Sequence, residues 1–414
     1  MSTKQKHEAT YVGLDIGSSK VVCVVGLAQA ESATPSIIGL GVAPLSGVRR
    51  GVVNDVEETV SAITAALEEA ERMSGVAIER ATINVDGVQV QCMNSKGVVA
   101  VARADHEIAL EDLARAEEAA SAITLNANRQ LLSVIPRSYS VDDQTNVVDP
   151  VGMNGIKLEV DTHILTVSIP AMKNLHNSVF RSGIAINSQL PTPLAAAKAI
   201  LKLSEKEAGV ALVHIGAETT GIAIYQDGMI SYTSILPIGS NNITKDLVYG
   251  LRTTPEVAEK IKLDHAIAGR PMGKTNKKIN LEDYGSAGNV YQYDIDTIVH
   301  SRLEEILTLA KEEVIKVVKD PKVLGAGIVF SGGGANITEL GRYATEVFKV
   351  PSTVAKVSHI SGVAEHISDP TYASAIGLML EDMQQPKNTK RIGHSNVLHT
   401  ISAKAVSIIK GLLP

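Results

Sequence analysis

Two segments of the chain share one pattern of hydrophobic and polar positions. Residues 13–26 read GLDIGSSKVVCVVG, and residues 213–228 read VHIGAETTGIAIYQDG. In each segment an apolar run ends at Ile-Gly, a few small polar residues follow, and a second apolar run begins. Apolar runs on both sides of a tight polar turn are typical of two paired strands. The pattern therefore predicts two similar hairpins, one in each half of the chain.

The first half alternates strand and helix patterns. Strands are predicted at residues 11–27, around the first turn, and at 36–42 and 81–85. Before the last of these strands, a helix begins after Asn54 and Asp55, which can cap it, and ends at Gly75. This half therefore opens in the order β-β-β-α-β.

The pattern changes between residues 86 and 161. Two hairpin-like strands, at 88–93 and 97–102, precede a helix at 110–123 and a turn-rich stretch. We interpret residues 86–161 as an inserted subdomain. The α/β alternation then resumes with a strand at 163–168 and helices at 171–182 and 193–203.

The second half restarts at Val210 with its own strand, turn and strand. A more polar, mainly helical block follows over residues 241–319, and it contains a Gly- and Lys-rich loop at 269–278. The remaining predicted elements are a strand at 328–330, the turn SGGGAN, a helix at 337–348 and a helix at 371–380. Two halves that open with the same hairpin indicate a duplicated α/β fold with a cleft between the halves.

Residues 381–395 are short of apolar side chains and are predicted to be a linker. On a helical wheel of the segment 396–414, the apolar side chains fall within one stripe: Val397, Leu398, Ile401, Ala405, Ile408, Ile409 and Leu412. Such a helix can lie in the plane of a membrane interface, or it can dock on its own domain or on a partner. The polar linker makes docking on its own domain less necessary, so the membrane interpretation is favoured.

Composition and charge narrow the class of protein. A chain of 414 residues predicts two to four domains. A net charge of −6, with 3% aromatic residues and no Trp, argues against nucleic acid as a partner. Cys23 and Cys92 form no C-x-x-C pair, which fits a reducing compartment, and no His spacing indicates a transition-metal site. Residues 1–10 lack the apolar core of a signal peptide, and no apolar run is long enough to span a bilayer, so we expect a cytosolic protein unless it is anchored peripherally.

The first hairpin turn carries the strongest chemical signal. Successive backbone N–H groups at Gly17, Ser18 and Ser19 can bind phosphate oxygens, Lys20 can add a positive charge, and Asp15 can hold Mg²⁺ through water. One such turn alone is more often an ordinary hairpin. A second hairpin in the same register and a Gly-rich turn before a helix favour a nucleotide cleft. No Walker-type run and no G-x-G-x-x-G fingerprint is present, so the cleft is neither a P-loop nor a Rossmann site.

Several stretches closely resemble the FtsA family of the actin/Hsp70/sugar-kinase superfamily: YVGLDIGSSKVVCVVG, RRGVVNDVEETVSAI, LLSVIPRSYSVDDQ, VVDPVGMNGIKLEVDTHIL and PLAAAKAIL. The resemblance implies a duplicated actin-like α/β fold of the ribonuclease-H-like type, with a nucleotide cleft between domains and an FtsA-type inserted subdomain. It implies core domains at 1–85 with 162–203 and at 204–240 with 323–380, insertions at 86–161 and 241–322, a linker at 381–395 and a membrane-targeting helix at 396–414.

The resemblance also implies a function in cell division. FtsA proteins bind ATP, polymerise, and tether filaments of the tubulin homologue FtsZ to the cytoplasmic face of the membrane at the division septum, with other divisome proteins as further partners. The C-terminal peptide of FtsZ is expected on the insertion 241–322. There the predicted helix 296–318 carries basic and apolar side chains, which are Arg302, Lys311, Lys316, Ile298, Ile306 and Leu309. The alternative for this helix is an ordinary solvated amphipathic helix.

Nucleotide-binding positions are carried over from the family residue by residue. Asp15, Gly17, Ser18, Ser19 and Lys20 match the first phosphate loop, with Asp15 as the Mg²⁺ partner, and Gly216, Thr219 and Thr220 match the second. Gly239 matches a further turn near the nucleotide, Glu259 and Lys262 match a helix that contacts base and ribose, and Gly332, Gly333, Gly334 and Asn336 match the adenosine loop.

The chain departs from the family in the second phosphate loop. The family pattern there is roughly Asp-Ile-Gly-Gly-Gly-Thr-x-Asp, and the chain instead has His214, Ala217, Glu218 and Gly221. Loss of a carboxylate at His214 removes a partner for Mg²⁺ or water, Glu218 adds an anion to a phosphate turn, and side chains disfavour any positive φ there. We expect weak nucleotide binding or very slow hydrolysis, with His214 a non-catalytic residue and no catalytic residue assigned.

Two rival functions stay open on the sequence alone. A PilM-like scaffold of type IV pili shares the FtsA-type insertion, but it lacks the linker and the amphipathic tail. A sugar kinase or chaperone-like ATPase of the same superfamily needs an intact acidic set in the cleft. His214 and Gly221 argue against that second rival.

Overall fold

The structure is a computed structural model that describes residues 9–28, 35–271, 277–357, 360–362 and 367–385. The predicted membrane helix 396–414, with its apolar stripe, lies outside the described residues, as does most of the predicted linker. None of the helices among the described residues is long and apolar enough to cross a membrane.

The strands in chain order are β1 (Ala9–Ile16), β2 (Lys20–Ala28), β3 (Ser36–Pro44), β4 (Val48–Arg49), β5 (Val52–Val53), β6 (Arg80–Val85), β7 (Gln91–Ala100), β8 (Arg129–Val141), β9 (Gln144–Val147), β10 (Lys157–Ser168), β11 (Ala185–Pro191), β12 (Val210–Ile215), β13 (Thr220–Gln226), β14 (Met229–Leu236), β15 (Lys278–Asn280), β16 (Asn289–Tyr291), β17 (Ile328–Ser331), β18 (Ser352–Val354) and β19 (Ser361–Gly362). The helices are α1 (Val56–Ser74), α2 (Leu110–Ser121), α3 (Ile169–Arg181), α4 (Thr192–Ile200), α5 (Leu203–Ala208), α6 (Ser240–Leu251), α7 (Pro255–His265), α8 (Gln292–Val318), α9 (Leu340–Phe348) and α10 (Ala373–Gln384).

The sheet of the first half has the order β11-β6-β1-β2-β3-β19. Strands β1 and β2 form the predicted antiparallel hairpin, and β6 runs parallel to β1. Helix α1 covers one face of this sheet, and α10 covers the other at β1. The predicted limits of α1 are confirmed, because the Asp55 carboxylate accepts a hydrogen bond from the Glu58 N–H and Gly75 ends the helix at a φ of 71°.

The sheet of the second half repeats this arrangement in the order β14-β13-β12-β17-β18. Strands β12 and β13 form the second predicted hairpin, and β17 runs parallel to β12. Part of α8 and helix α9 pack their apolar side chains against the sheet. Helices α6 and α7, the short strands β15 and β16 and the first turns of α8 surround a separate apolar cluster. The predicted helical block therefore has a core of its own.

The inserted segment forms a four-stranded sheet in the order β7-β10-β8-β9, with α2 packed on it. The predicted hairpin of strands 88–93 and 97–102 is wrong, because β7 runs without a turn from Gln91 to Ala100. Its polar residues Asn94 and Ser95 look like turn residues, yet they pair with β10 in an unbroken ladder. The strand predicted at 163–168 is the end of β10 in this sheet, so assigning it to the first core domain is also wrong. That core resumes with α3 and β11.

Helices α4 and α10 join the two halves. Helix α10 packs on α4 and on β1, and α4 also contacts β12 and β13 of the second sheet. Although the sequence places α10 in the second core domain, the helix covers the sheet of the first. A Cβ atom on Gly377 of α10 would lie 1.7 Å from the carbonyl oxygen of Ala195 in α4, so only glycine permits this approach.

The predicted linker begins too early, because α10 extends to Gln384. Asp382 is buried, and its carboxylate accepts hydrogen bonds from the Val12 N–H at 3.0 Å and from the Thr82 hydroxyl at 2.8 Å. The carboxylate of Glu381 accepts from Lys198 at 2.6 Å. Polar side chains at 381–384 therefore attach the helix to the first half, although their composition predicts an exposed linker.

Candidate functional site

A cavity of about 950 Å³ lies between the two halves of the molecule. Its lining comes from the turns of both hairpins, from helices α6 and α7, and from the Gly-rich segment after β17. The cavity is large enough for a nucleotide, since ligand sites in proteins usually enclose about 300–1,000 Å³.

The two hairpin turns have the same backbone geometry. The Gly17 N–H donates to the Lys20 carbonyl at 3.0 Å, and the Gly216 N–H donates to the Thr219 carbonyl at 2.8 Å. This register makes His214 the counterpart of Asp15, and Thr219 the counterpart of Lys20.

The turns also present free hydrogen-bond donors. Within the described part of the chain, no hydrogen bond comes from the backbone N–H groups of Ser18, Ser19, Ala217 or Glu218. Donors of this kind on successive residues suit phosphate oxygens. Each turn therefore offers part of an anion-binding site at the cavity.

Two carboxylates of the first half face the cavity. Asp15, at the end of β1, accepts a hydrogen bond from the Ser374 hydroxyl, and burial raises the pKa of Asp15 to about 6, against partial relief from that bond. Asp86 follows β6 and accepts from the Thr219 hydroxyl of the second turn at 2.7 Å. Burial also raises the pKa of Asp86, and its charge adds to the raised pKa of Asp15. The charge of Lys20 opposes the raised pKa of Asp15, and the Lys20 ammonium lies 5.6 Å from the ring centre of Tyr372.

These pKa values predict how pH affects stability. The folded-state pKa of Asp15, about 6, lies above the ordinary value of 3.8, so the folded protein binds this proton more tightly than the unfolded chain does. Ionisation of Asp15 therefore lowers the free energy of unfolding as pH rises from about 4 to about 6. The variant Asp15→Asn cannot ionise there. The free energy of unfolding of the variant, relative to that of the wild type, should therefore rise by about 2 kcal/mol across this range and then stay constant. Urea titrations between about pH 4 and about pH 7 measure this difference.

The exposed Asp143→Asn provides the control for this prediction, because the same chemical change on the surface should leave the difference flat with pH. A difference for Asp15→Asn that is equally flat would contradict the raised pKa.

His214 is a neutral, buried side chain. Its Nδ1 lies 2.9 Å from the Ser331 hydroxyl, and burial lowers its pKa to about 4. A neutral imidazole supplies neither the negative charge of the carboxylate found at the matching position, Asp15, nor a second titrating group near neutral pH. Among the residues that the structure describes, the Ser331 hydroxyl is the one hydrogen-bond partner of the His214 ring.

The expectation that Glu218 places its charge inside the second phosphate turn is wrong. The carboxylate does not line the cavity; it accepts a hydrogen bond from the Arg50 N–H at 3.0 Å and pairs with the Lys245 ammonium at 3.0 Å. Neither Ala217 nor Glu218 has a positive φ, so this turn needs no glycine at those positions. The substitutions therefore leave the turn geometry intact and add a contact outside it.

The far end of the cavity combines a polar cluster with an apolar wall. Lys262 is buried, and its ammonium donates to the Thr244 hydroxyl at 2.9 Å and pairs with the Glu259 carboxylate at 2.7 Å. Burial lowers the pKa of Lys262, and Glu259 opposes that shift. The apolar wall is formed by Val248, Tyr249, Leu263, Ala266 and Ile337. An aromatic base with a hydroxylated sugar matches this combination.

The structure brings most of the sequence-predicted binding residues to the cavity lining: Asp15, Gly17, Ser18, Ser19, Lys20, Gly216, Thr219, Glu259, Lys262, Gly333, Gly334 and Asn336. Three others lie behind the lining. The Thr220 hydroxyl donates to the Ile238 carbonyl, Gly239 has no space for a Cβ next to Ala217, and Gly332 has a φ of 82°. These three residues shape the turns and do not reach the cavity.

Sequence reasoning missed several residues that line the cavity: Asn84, Asp86, Thr192, Ser240, Asn241, Thr244, Lys245, Tyr249 and Thr371. The place of Asp86 at the cavity could be predicted from the sequence, because Asp86 follows a predicted buried strand and parallel strands bring their carboxyl ends to one edge of a sheet. The residues of α6 had no such signal, because their place depends on how α6 packs beside the second turn.

Helix α8 is the helix expected to bind a partner peptide. Its basic and apolar side chains named in the sequence analysis contact other residues of the protein itself. Ile306 is fully buried, and Leu309 and Ile298 pack against apolar clusters. Arg302 pairs with Asp246 at 2.6 Å, Lys311 donates to the Val347 carbonyl at 2.8 Å, and Lys316 pairs with Glu313. The apolar pattern that suggested a docking face is therefore the buried face of the helix.

Comparisons with known families agree with this geometry. The family model for "Cell division protein FtsA" matches residues 211–377, and the model for "SHS2 domain inserted in FTSA" matches residues 87–166. The FtsA protein of Neisseria meningitidis serogroup B is 34% identical over 91% of this chain and 92% of the relative. That of Borreliella burgdorferi is 35% identical over 92% of each chain.

Solved structures support the predicted fold class. A PilM–PilN type IV pilus biogenesis complex matches with a TM-score of 0.66 at 16% identity, covering 91% of this chain and 99% of the matched chain. MreB5 of Spiroplasma citri bound to ADP matches with a TM-score of 0.51 at 15% identity, covering 90% and 95%. These likenesses concern the fold alone, and they confirm the predicted duplicated, actin-like α/β architecture.

Proposed function

We propose, given that this chain belongs to the FtsA family of cell-division proteins, that it is an actin-like adaptor which binds ATP, polymerises, and tethers FtsZ filaments to the cytoplasmic face of the membrane at the division site. The observation that carries the nucleotide part is the pair of matched turns with free N–H groups on one cavity between the halves. Two turns of this kind on one cavity suit a ligand with several phosphates.

In the proposed complex the two turns and Lys20 bind the phosphates. Asp15 and Asp86 are the carboxylates able to hold Mg²⁺, directly or through water, and the described residues contain no group of three or more acidic, His or Cys side chains that would hold it alone. Phosphate oxygens and water would complete the shell of Mg²⁺, which is its usual preference. Bound Mg²⁺ supplies charge neutralisation for the phosphates.

Nucleotide serves in this proposal as a conformational ligand. Phosphates that contact turns from both halves favour the closed arrangement of the cleft, and α4 and α10 connect the halves behind it. We assign no catalytic residue, because His214 is neutral and its Nδ1 is engaged by Ser331. Hydrolysis is therefore proposed to be slow or absent, and the closed form to be the one that polymerises.

Titration of Mg-ATP into the full-length protein by calorimetry tests the nucleotide part. We expect one saturable site, and we expect Lys20→Met to weaken its affinity by about tenfold or more, because a charge-assisted contact to phosphate is lost. Lys173→Met removes an equal charge from the exposed side of α3 and should leave the affinity unchanged. Absence of binding by the wild type would contradict the proposal.

A further inference from the structure

The chain enters helix α10 through residues 369–374, the entry segment, which contacts the cavity lining of both halves. On the side of the second half, the Gly332 N–H donates to the Pro370 carbonyl at 3.0 Å, and the Asn336 side-chain amide donates to the Asp369 carboxylate at 3.0 Å. These two bonds attach the Gly-rich turn after β17 to the entry segment. The other contacts of the segment are with Asp15 and Lys20 of the first half.

Ser374 contacts the carboxylate at the end of β1. It lies in the first turn of α10 and is fully buried, and its hydroxyl donates to Oδ2 of Asp15. Among the described residues, Ser374 is the one hydrogen-bond donor to this carboxylate. A hydrogen bond to a buried carboxylate favours its ionised form and fixes its orientation. Ser374 therefore engages one oxygen of Asp15 and leaves the other without a protein donor.

Tyr372 contacts the cation of the first phosphate turn. Its ring is partly buried, and the Lys20 ammonium lies 5.6 Å from the ring centre, within the range of a cation–π contact. In the part of the chain that the structure describes, no carboxylate lies within ion-pair distance of Lys20. The ring therefore orients the ammonium without neutralising its charge, so the charge remains available to phosphate.

We propose that the entry segment positions the Mg²⁺ partner and the phosphate-binding cation of the first half, with Ser374 acting on Asp15 and Tyr372 acting on Lys20. The inference rests on the proposed nucleotide function and adds two positioning residues to it. Neither Ser374 nor Tyr372 lines the cavity, so each can affect the ligand only through the residue that it contacts. The two effects differ, because Asp15 serves the metal and Lys20 serves the phosphates.

Calorimetric titration of ATP into the full-length protein, once with Mg²⁺ and once with EDTA, separates the two roles. In Ser374→Ala the gain in ATP affinity that Mg²⁺ gives should fall about tenfold, because the Asp15 carboxylate loses its donor, and the affinity in EDTA should change little. Ser178→Ala is the matched control. Ser178 is equally buried, in α3, and its hydroxyl donates at 3.0 Å to the Asn174 carbonyl of its own helix, so the gain from Mg²⁺ should stay as in the wild type.

Substitutions of Tyr372 should affect ATP affinity in another way. Tyr372→Leu removes the ring, so the affinity should fall about fivefold both with Mg²⁺ and with EDTA. Tyr372→Phe keeps the ring and should keep the wild-type affinity. Unchanged affinity in Tyr372→Leu, or equal weakening by both substitutions, would overturn the role of the ring.

The outcomes separate this inference from the proposed function. Absence of ATP binding by the wild type would overturn the nucleotide function itself, and equal wild-type affinity in Mg²⁺ and in EDTA would overturn the Mg²⁺ site together with the role of Ser374. If the wild type binds ATP and gains affinity from Mg²⁺, Ser374→Ala decides alone. A variant that keeps this gain, or that loses affinity equally in both solutions, would overturn the role of Ser374. Melting curves recorded without nucleotide establish that the variants are folded.

Discussion

Removal of residues 396–414 is expected to abolish co-sedimentation of the protein with anionic phospholipid vesicles. In the proposed function, the apolar stripe of this segment is expected to insert partly into the interface and to contribute on the order of a few kcal/mol. Lys404 and Lys410 of the predicted helix, with basic residues of the predicted linker, are expected to add about 1 kcal/mol each near anionic lipid. One such anchor binds reversibly, whereas many anchors on a filament bind with much greater avidity. The shortened chain should keep the melting curve of the full-length protein.

Two single substitutions distinguish insertion of the stripe from a charge effect. Ile408→Asp places a negative charge on the apolar stripe and should release most of the protein from vesicles. Ser407→Asp places the same charge on the polar face and should release much less. Equal pelleting of the shortened and full-length chains would show that another surface binds the membrane.

Gly377→Ala is expected to lower the free energy of unfolding by about 2–4 kcal/mol. The new Cβ would lie 1.7 Å from the Ala195 carbonyl oxygen and 2.5 Å from its carbon, so α4 and α10 must move apart or distort. Neither contact atom is the end of a flexible side chain, so local adjustment cannot relieve the clash. Because these helices join the two halves, the variant should also bind Mg-ATP more weakly.

Gly250→Ala is the matched control for this variant. It makes the same chemical change within a helix, but its Cβ would meet the Cδ1 of Ile298, the end of a flexible side chain, at 2.4 Å. Alanine is favoured over glycine in a helix by about 1 kcal/mol, so Gly250→Ala should be near neutral. Urea titration of both variants measures the difference, and equal stability of the two would contradict the close approach of α4 and α10.

The hairpins could be predicted because their information is local. Strand, turn and strand are contiguous in residues 11–27 and again after Val210, and the repetition of the pattern gave each hairpin additional weight. The cap at Asp55 and the end at Gly75 are local in the same way. The residues of the turns therefore lie at the cavity, as the sequence predicts.

The remaining features depend on long-range packing. The sequence at residues 94 and 95 is typical of a turn, but these residues pair with β10. Glu381 has the character of a linker residue, but its carboxylate accepts a hydrogen bond from Lys198. The direction of the Glu218 side chain is decided by Arg50 and Lys245, neither of which is near it in sequence. Composition and spacing do not identify partners that are distant in sequence, so the predictions for these residues were wrong.

Electron microscopy of the full-length protein on anionic lipid monolayers, with and without ATP and FtsZ, tests the central proposal most directly. We expect ordered filaments of the protein on lipid with ATP, and FtsZ filaments recruited to lipid only when the protein is present. Bare lipid with ATP, or FtsZ that stays in solution beside lipid-bound protein, would contradict it.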